Sequence, residues 1–207
     1  MFFIIIRLII FLLVLFLLLG KEGGKKSKTK KTVVIIFSVF LLAVSALIPF
    51  ENLFVTFSTA ESSYKYHNQG TPVITVDGQA TSLVVGQKGN TSIYNIIPKV
   101  DNGWKLGMGY NLKNIYQSID SADKNLINVF QYKNTNEFYL VVTNFEGKNL
   151  QINDSMNSEF LLPEISDKNG SASDCVYYAY VNALGSDYVL CVNGVDVPIG
   201  ESVYNAD

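Results

Sequence analysis

The sequence predicts a mainly β protein: an antiparallel, sandwich-like meander with one short helix, preceded by two N-terminal transmembrane helices. Three observations predict it. Two apolar runs, Phe2–Leu19 and Val33–Phe50, precede residue 58, the first broken only by Arg7 and the second without charge. Beyond residue 71, β-branched and aromatic stretches alternate with Asp-Gly, Asn-Gly and Asn-x-x-Gly turns. Charge also divides: residues 1–60 hold seven basic groups against two acids, net +5, while 61–207 hold nine lysines against sixteen acids, net −7.

Residues 1–20 make the first expected membrane helix. The eighteen residues Phe2–Leu19 rise about 27 Å, close to the roughly 30 Å of a hydrocarbon core. Lipid cannot satisfy backbone polar groups, so such a run must be helical. Residues 21–32 form a basic loop with six lysines against Glu22. Short lysine-rich loops stay in the cytoplasm, which places everything after residue 50 on the extracytoplasmic side. Residues 33–57 make a second membrane helix or signal-anchor. The same residues also suit a cleaved signal, with Lys25–Lys31 as its basic region and Ser58-Thr59-Ala60 as the small-residue site. Cleavage after Ala60 would give a secreted domain; without it the domain stays anchored. Both readings export the C-terminal part.

Residues 58–71 read as a polar tether and 72–207 as the exported β-rich domain. The expected strands are 72–77, 79–85, 92–97, 127–133, 138–143, 148–153, 174–182, 187–192 and 195–199. Asp77-Gly78 and Asn193-Gly194 suit two-residue type I′ hairpin turns. Asn144-Phe145-Glu146-Gly147 and Asn182-Ala183-Leu184-Gly185 suit type I turns closed by a left-handed glycine. Residues 137–142 and 175–181 are apolar on both faces, as central strands are. The single helix is expected over 111–122, where Leu112, Ile115, Tyr116 and Ile119 recur at helical spacing behind Asn111 as cap.

The chemistry-bearing residues are few. His67 is the only histidine and falls in the expected tether, away from any nucleophile–carboxylate pair. Cys175 and Cys191 are the only cysteines. A hairpin pairing Asn182 with Ser186 would set them diagonally on one sheet face, wide for a disulfide but in an oxidising compartment. They stand as the candidate disulfide or as two small buried residues. Two thiols without an adjacent histidine do not complete a metal site, and Asp167–Asp174 lacks the spacing of a calcium loop. No metal, cofactor or catalytic residue is expected.

Asp120 and Asp123 are one of many carboxylate pairs. Asn90, Asn153 and Asn169 head glycosylation patterns that matter only in a eukaryotic secretory pathway. Trp104, the only tryptophan, and Tyr110 lie among Gly103, Gly107 and Gly109 and are the candidate ligand-binding pair, against a core role for the indole. A pI near 5.4 argues against nucleic acid as partner.

The function expected from this inventory is a non-catalytic interaction or structural module of the cell envelope. It would be held in the membrane by two helices and bind an envelope protein or wall polymer. The alternatives are an envelope hydrolase using paired carboxylates and an accessory subunit of a membrane complex.

Overall fold

The computed structural model describes residues 55–67, 70–89, 91–106, 112–133, 135–163 and 174–204, together with 9, 11–12, 16, 32–33, 35–40 and 52. In chain order its elements are α1 (Ala60–His67), β1 (Thr71–Asp77), β2 (Thr81–Lys88), β3 (Thr91–Val100) and β4 (Gly103–Trp104). Then come β5 (Leu112–Asp120), β6 (Asn125–Tyr132), β7 (Glu137–Asn144), β8 (Ile152–Asp154), β9 (Cys175–Asn182), β10 (Leu190–Val192), β11 (Val195–Val197) and α2 (Ile199–Tyr204). Every strand pairing is antiparallel, in three sheets ordered β1-β2-β3-β4, β5-β6-β7-β9 and β11-β10-β8.

The layering follows from alternation along β7, in which all eight residues are buried. Phe138, Leu140 and Val142 point one way, into a core shared with Leu184, Tyr188, Leu190, Val192 and Ile199 from the third sheet, α2 and the loops beside them. Tyr139 and Val141 point the other way, against Val76, Leu83, Val85 and Ile96 of the first sheet. On its far side the first sheet buries Val84 and Ile97 under Ala60 and Tyr64 of α1. The second sheet is thus an inner wall, and each fully buried aliphatic side chain in it contributes about 1.5–3 kcal/mol.

The structure departs from the sequence reading at several points. The helix expected over 111–122 is strand β5 where it is described. A bulge between Asn114 and Tyr116 inserts Ile115, so Ile115 and Tyr116 join the same core while Leu112 joins the opposite one. One extra residue resets a two-residue alternation and imitates helical spacing. Conversely, residues 60–67 of the expected tether are helical. The Thr59 hydroxyl accepts from the Ser62 amide (3.1 Å) and the Ser62 hydroxyl accepts from the Thr59 amide (3.2 Å), a reciprocal cap with serine in the third position. Ala60, Ser63 and Tyr64 bury that helix against the first sheet.

The expected meander is also broken. β8 and β10 leave the second sheet to pair with each other, so 148–153 and 187–192 do not continue it. β7 is central as expected. β9 lies at the sheet's end, with Leu161 bridging Tyr178 on its outer side (2.8 and 2.9 Å). The Asn193-Gly194 turn forms as expected, with φ of 51° and 81°. The Asp77-Gly78 turn does not: Asp77 pairs with Ser82, and Gln79-Ala80 is the tip.

No helix among the described residues is long and apolar enough to cross a membrane. The expected spans over 1–20 and 33–57 lie largely outside the described residues.

Candidate functional site

Trp104 sits at the short edge strand β4, clamped by backbone on one side. Its amide donates to the Phe57 carbonyl (2.9 Å), and the Phe57 amide donates back (2.8 Å). The indole Nε1–H donates to Ser82 Oγ (3.1 Å), which in turn donates to Asp77 Oδ1 (2.7 Å). Part of the ring packs on the core beneath α1, while the Lys99 ammonium lies 5.7 Å from its centroid. The indole is therefore half-buried and oriented by its polar edge. Tyr110 lies outside the described residues.

Around Trp104 the chain closes a clasp. The Asn52 carboxamide accepts from the Leu106 amide (2.7 Å) and donates to its carbonyl (3.2 Å), imitating a strand partner. The Lys105 ammonium donates to the Val55 carbonyl (2.9 Å) and to Thr56 Oγ1 (2.8 Å). Ser63 Oγ of α1 donates to the Lys105 carbonyl (2.9 Å). Asn52 and residues 55–57 are thus part of the domain edge.

The buried acids hold turns. Glu137, at the start of β7, accepts from the Gln79 amide (3.2 Å), the Ala80 amide (3.1 Å) and Tyr180 Oη (2.8 Å) with Oε1, and from Thr81 Oγ1 with Oε2. It fastens the β1–β2 hairpin tip to the second sheet. Asp154 accepts from the Met156 and Ser158 amides (3.0 and 2.8 Å) and from Tyr188 Oη (2.7 Å). Asp120, exposed, accepts from the amides of Ala122 and Asp123 in the β5–β6 connection. A carboxylate whose lone pairs are engaged by fold donors is poorly placed to move protons for a substrate. Ser82 meets Asp77 with no imidazole between, and His67 is exposed in the last turn of α1. No group of three or more His, Cys, Asp or Glu among the described residues could hold a metal ion.

The structure places the cysteines on different sheets, Cys175 on β9 and Cys191 on β10, both half-buried and both free. The hairpin register that would set them diagonally does not form. Burial, with help from the Asp196 carboxylate, pushes the Cys191 thiol up from its ordinary value.

Sequence reasoning missed Glu137, Asp154 and Asn52. For Glu137 a signal was present: an acid opening a stretch apolar on both faces must be exposed at a strand end or buried against donors. Asp154 and Asn52 carry no such signal, because ordinary turn residues look the same whether or not they reach across the fold.

No protein family, no curated protein and no solved structure matches this chain.

Proposed function

We propose that this chain is a membrane-anchored, exported β domain serving as a non-catalytic interaction or structural module of a cell envelope. The observation that carries the reading is the surface of the second apolar run. Val33, Ile35, Ile36, Phe37, Val39 and Phe40 are helical, and each is between 49% and 63% exposed. At 100° per residue these positions cover about 200° of the helix, and Ser38 is buried on the remaining side. An exposed apolar face this wide belongs against lipid or other protein.

The six lysines between the two runs support a cytoplasmic loop and an extracytoplasmic domain. The engagement of Glu137 and Asp154 in turns supports a binding or structural role over hydrolysis. With net −7 on residues 61–207, an envelope protein or wall polymer suits the domain as partner better than nucleic acid.

The test is alkaline carbonate extraction of membranes carrying the full chain, followed by protease added to intact cells. The expected result is retention in the membrane pellet with the domain cut from outside. A chain released by carbonate, or a domain protected until the cells are opened, overturns the reading.

A further inference from the structure

We propose that β5 is the edge through which two copies of this chain pair, strand against strand and antiparallel, about a two-fold axis at Gln117. β5 ends the second sheet, and among the described residues no strand pairs with its outer side. It is nine residues long and carries no proline. β1, at the open edge of the first sheet, instead carries Pro72, which has no N–H to offer. A free row of N–H and C=O groups is a template for another strand.

The pattern along this edge selects a second copy as the occupant. Partners on β6 assign each residue of β5 to a face. Lys113, Tyr116, Ser118 and Asp120 lie opposite Gln131, Val129, Ile127 and Asn125, on the face toward the third sheet. Asn114, Gln117 and Ile119 lie opposite Phe130, Asn128 and Leu126, on the face toward the first sheet. With Gln117 set against itself, Tyr116 meets Ser118 of the second copy. Beyond Tyr116 the bulge at Ile115 skips one position. Asn114 then meets Ile119 of the second copy, and Lys113 meets its Asp120. Every opposed pair shares a face, as antiparallel partners must. The two-fold makes each contact twice.

The side chains suit that register. Lys113, Asn114, Gln117 and Asp120 are exposed, and Ile119 is 65% exposed. Pairing covers Ile119 with Asn114 and, on the diagonal, Leu112 of the second copy. It also joins each lysine to an acid whose carboxylate is already held at the strand end by the Ala122 and Asp123 amides. A lysine and a bulge ordinarily guard an edge against pairing. In this register the bulge is what brings the lysine to its acid: an unbulged strand on the same axis would set Lys113 against Ser121.

The axis runs along the normal of the second sheet. The first sheet and α1 therefore lie on the same side of the joined sheet in both copies. In the anchored reading above, this leaves both N-terminal runs free to share one membrane, and that confinement raises the local concentration a small edge interface needs. The pairing itself does not depend on the anchor.

Oxidative cysteine cross-linking in cells expressing the full chain, with Cys175 and Cys191 replaced by Ser, tests the register. Gln117→Cys should give a disulfide-linked dimer. Ile119→Cys alone should not, because its two sulfurs lie about 13 Å apart along the edge. Asn114→Cys combined with Ile119→Cys should cross-link where neither does alone. Lys113→Asp sets like charges opposite each other at both ends and should cut the Gln117→Cys dimer about tenfold. Absence of a dimer from both Gln117→Cys and the 114/119 pair overturns the proposal and returns Lys113 and the bulge to guarding the edge. Equal cross-linking through Ile119→Cys alone overturns the register. A cross-linked dimer found in the soluble fraction upholds the pairing and overturns the anchored reading instead.

Discussion

Glu137 and Thr81 are joined by a hydrogen bond between side chains 56 residues apart, with the Thr81 hydroxyl also 2.7 Å from Tyr139 Oη. The carboxylate also accepts from the Gln79 and Ala80 amides at the hairpin tip and from the Tyr180 phenol. Replacing Glu137 by Ala removes the acceptor shared by the buried Thr81 hydroxyl, the Tyr180 phenol and two amides at the exposed hairpin tip. The expected cost is about 1–3 kcal/mol, since the tip amides can turn to water and Thr81 keeps Tyr139 as a partner. Glu137→Gln keeps an acceptor oxygen and should lose less. Urea midpoints of the two variants and the parent check the order.

Gly78 and Gly194 make a paired test of why glycine is needed. A Cβ on Gly78 would lie 2.7 Å from Tyr139 Oη, 2.7 Å from Tyr180 Cε2 and 2.9 Å from Glu137 Oε2. A Cβ on Gly194 meets nothing within 4 Å, but its φ of 81° is left-handed. Gly78→Ala should cost about 1–3 kcal/mol through overpacking. Gly194→Ala should cost about 1–2 kcal/mol through backbone strain alone. Adding Tyr180→Phe should change the first cost and leave the second untouched, because only Gly78 touches that ring.

These two glycines also show how far the sequence was legible. Asn193-Gly194 announced its own turn, because both residues supply the positive φ that the turn demands. Asp77-Gly78 announced the same turn and was misread: its glycine answers to Tyr139, Tyr180 and Glu137, none of them near in sequence. The strands around both turns could be read from alternation. The exit of β8 and β10 into a third sheet could not, since turn chemistry sets where a chain reverses and not which face it then covers. α1 was hidden because eight residues give too little periodicity. β5 was disguised by its bulge. At the candidate site, Trp104 was found by being unique, while the clasp from Asn52 depends on a carboxamide reaching 54 residues along the chain.

Acid should loosen α1 before the rest. Burial works against ionisation of Glu61, but hydrogen bonds from Thr75, its own backbone and Thr59, with the charge of Lys65, outweigh it. The carboxyl is held below its ordinary 4.5. A lowered folded-state pKa means its stabilisation is complete above 4.5 and is lost as pH falls through the lower folded value. Stability measured from pH 6 down to 3 should therefore fall more steeply in the parent than in Glu61→Gln.

Alkali should be resisted by buried phenols. Burial, together with donation to Glu137, pushes Tyr180 up to about 12, and burial pushes Tyr139, Tyr178 and Tyr188 up as well. A raised folded-state value means stabilisation is complete below the ordinary 10 and is lost as pH rises through the folded value. Tyrosinate absorbance should fall short of all twelve tyrosines until pH passes about 12. The remainder should arrive together with loss of ellipticity. Tyr188→Phe should cost about 1.5–3 kcal/mol, because its phenol donates to the Asp154 carboxylate.

The two thiols should both be available without a reductant. With Cys175 and Cys191 on separate sheets, the unfolded, unreduced chain should take up two alkyl groups by intact mass. In the native protein Cys191 should react slowly near neutral pH and faster as pH rises, since its thiol is shifted upward.

The shared inner wall also imposes an order of assembly. Strands β1 to β4 are neighbours in sequence as well as in space, so the first sheet can close as soon as residue 104 has emerged. The wall cannot: β7 must wait for β9, and its second face must wait for Leu190, Val192 and Ile199 at the far end of the chain. A polypeptide delivered N-terminus first therefore passes through a stage in which Phe138, Leu140 and Val142 are out and uncovered. Truncations before Ile199 should stall at that stage and stick to one another. The arrival of Leu190, Val192 and Ile199 governs whether this wall escapes aggregation at birth.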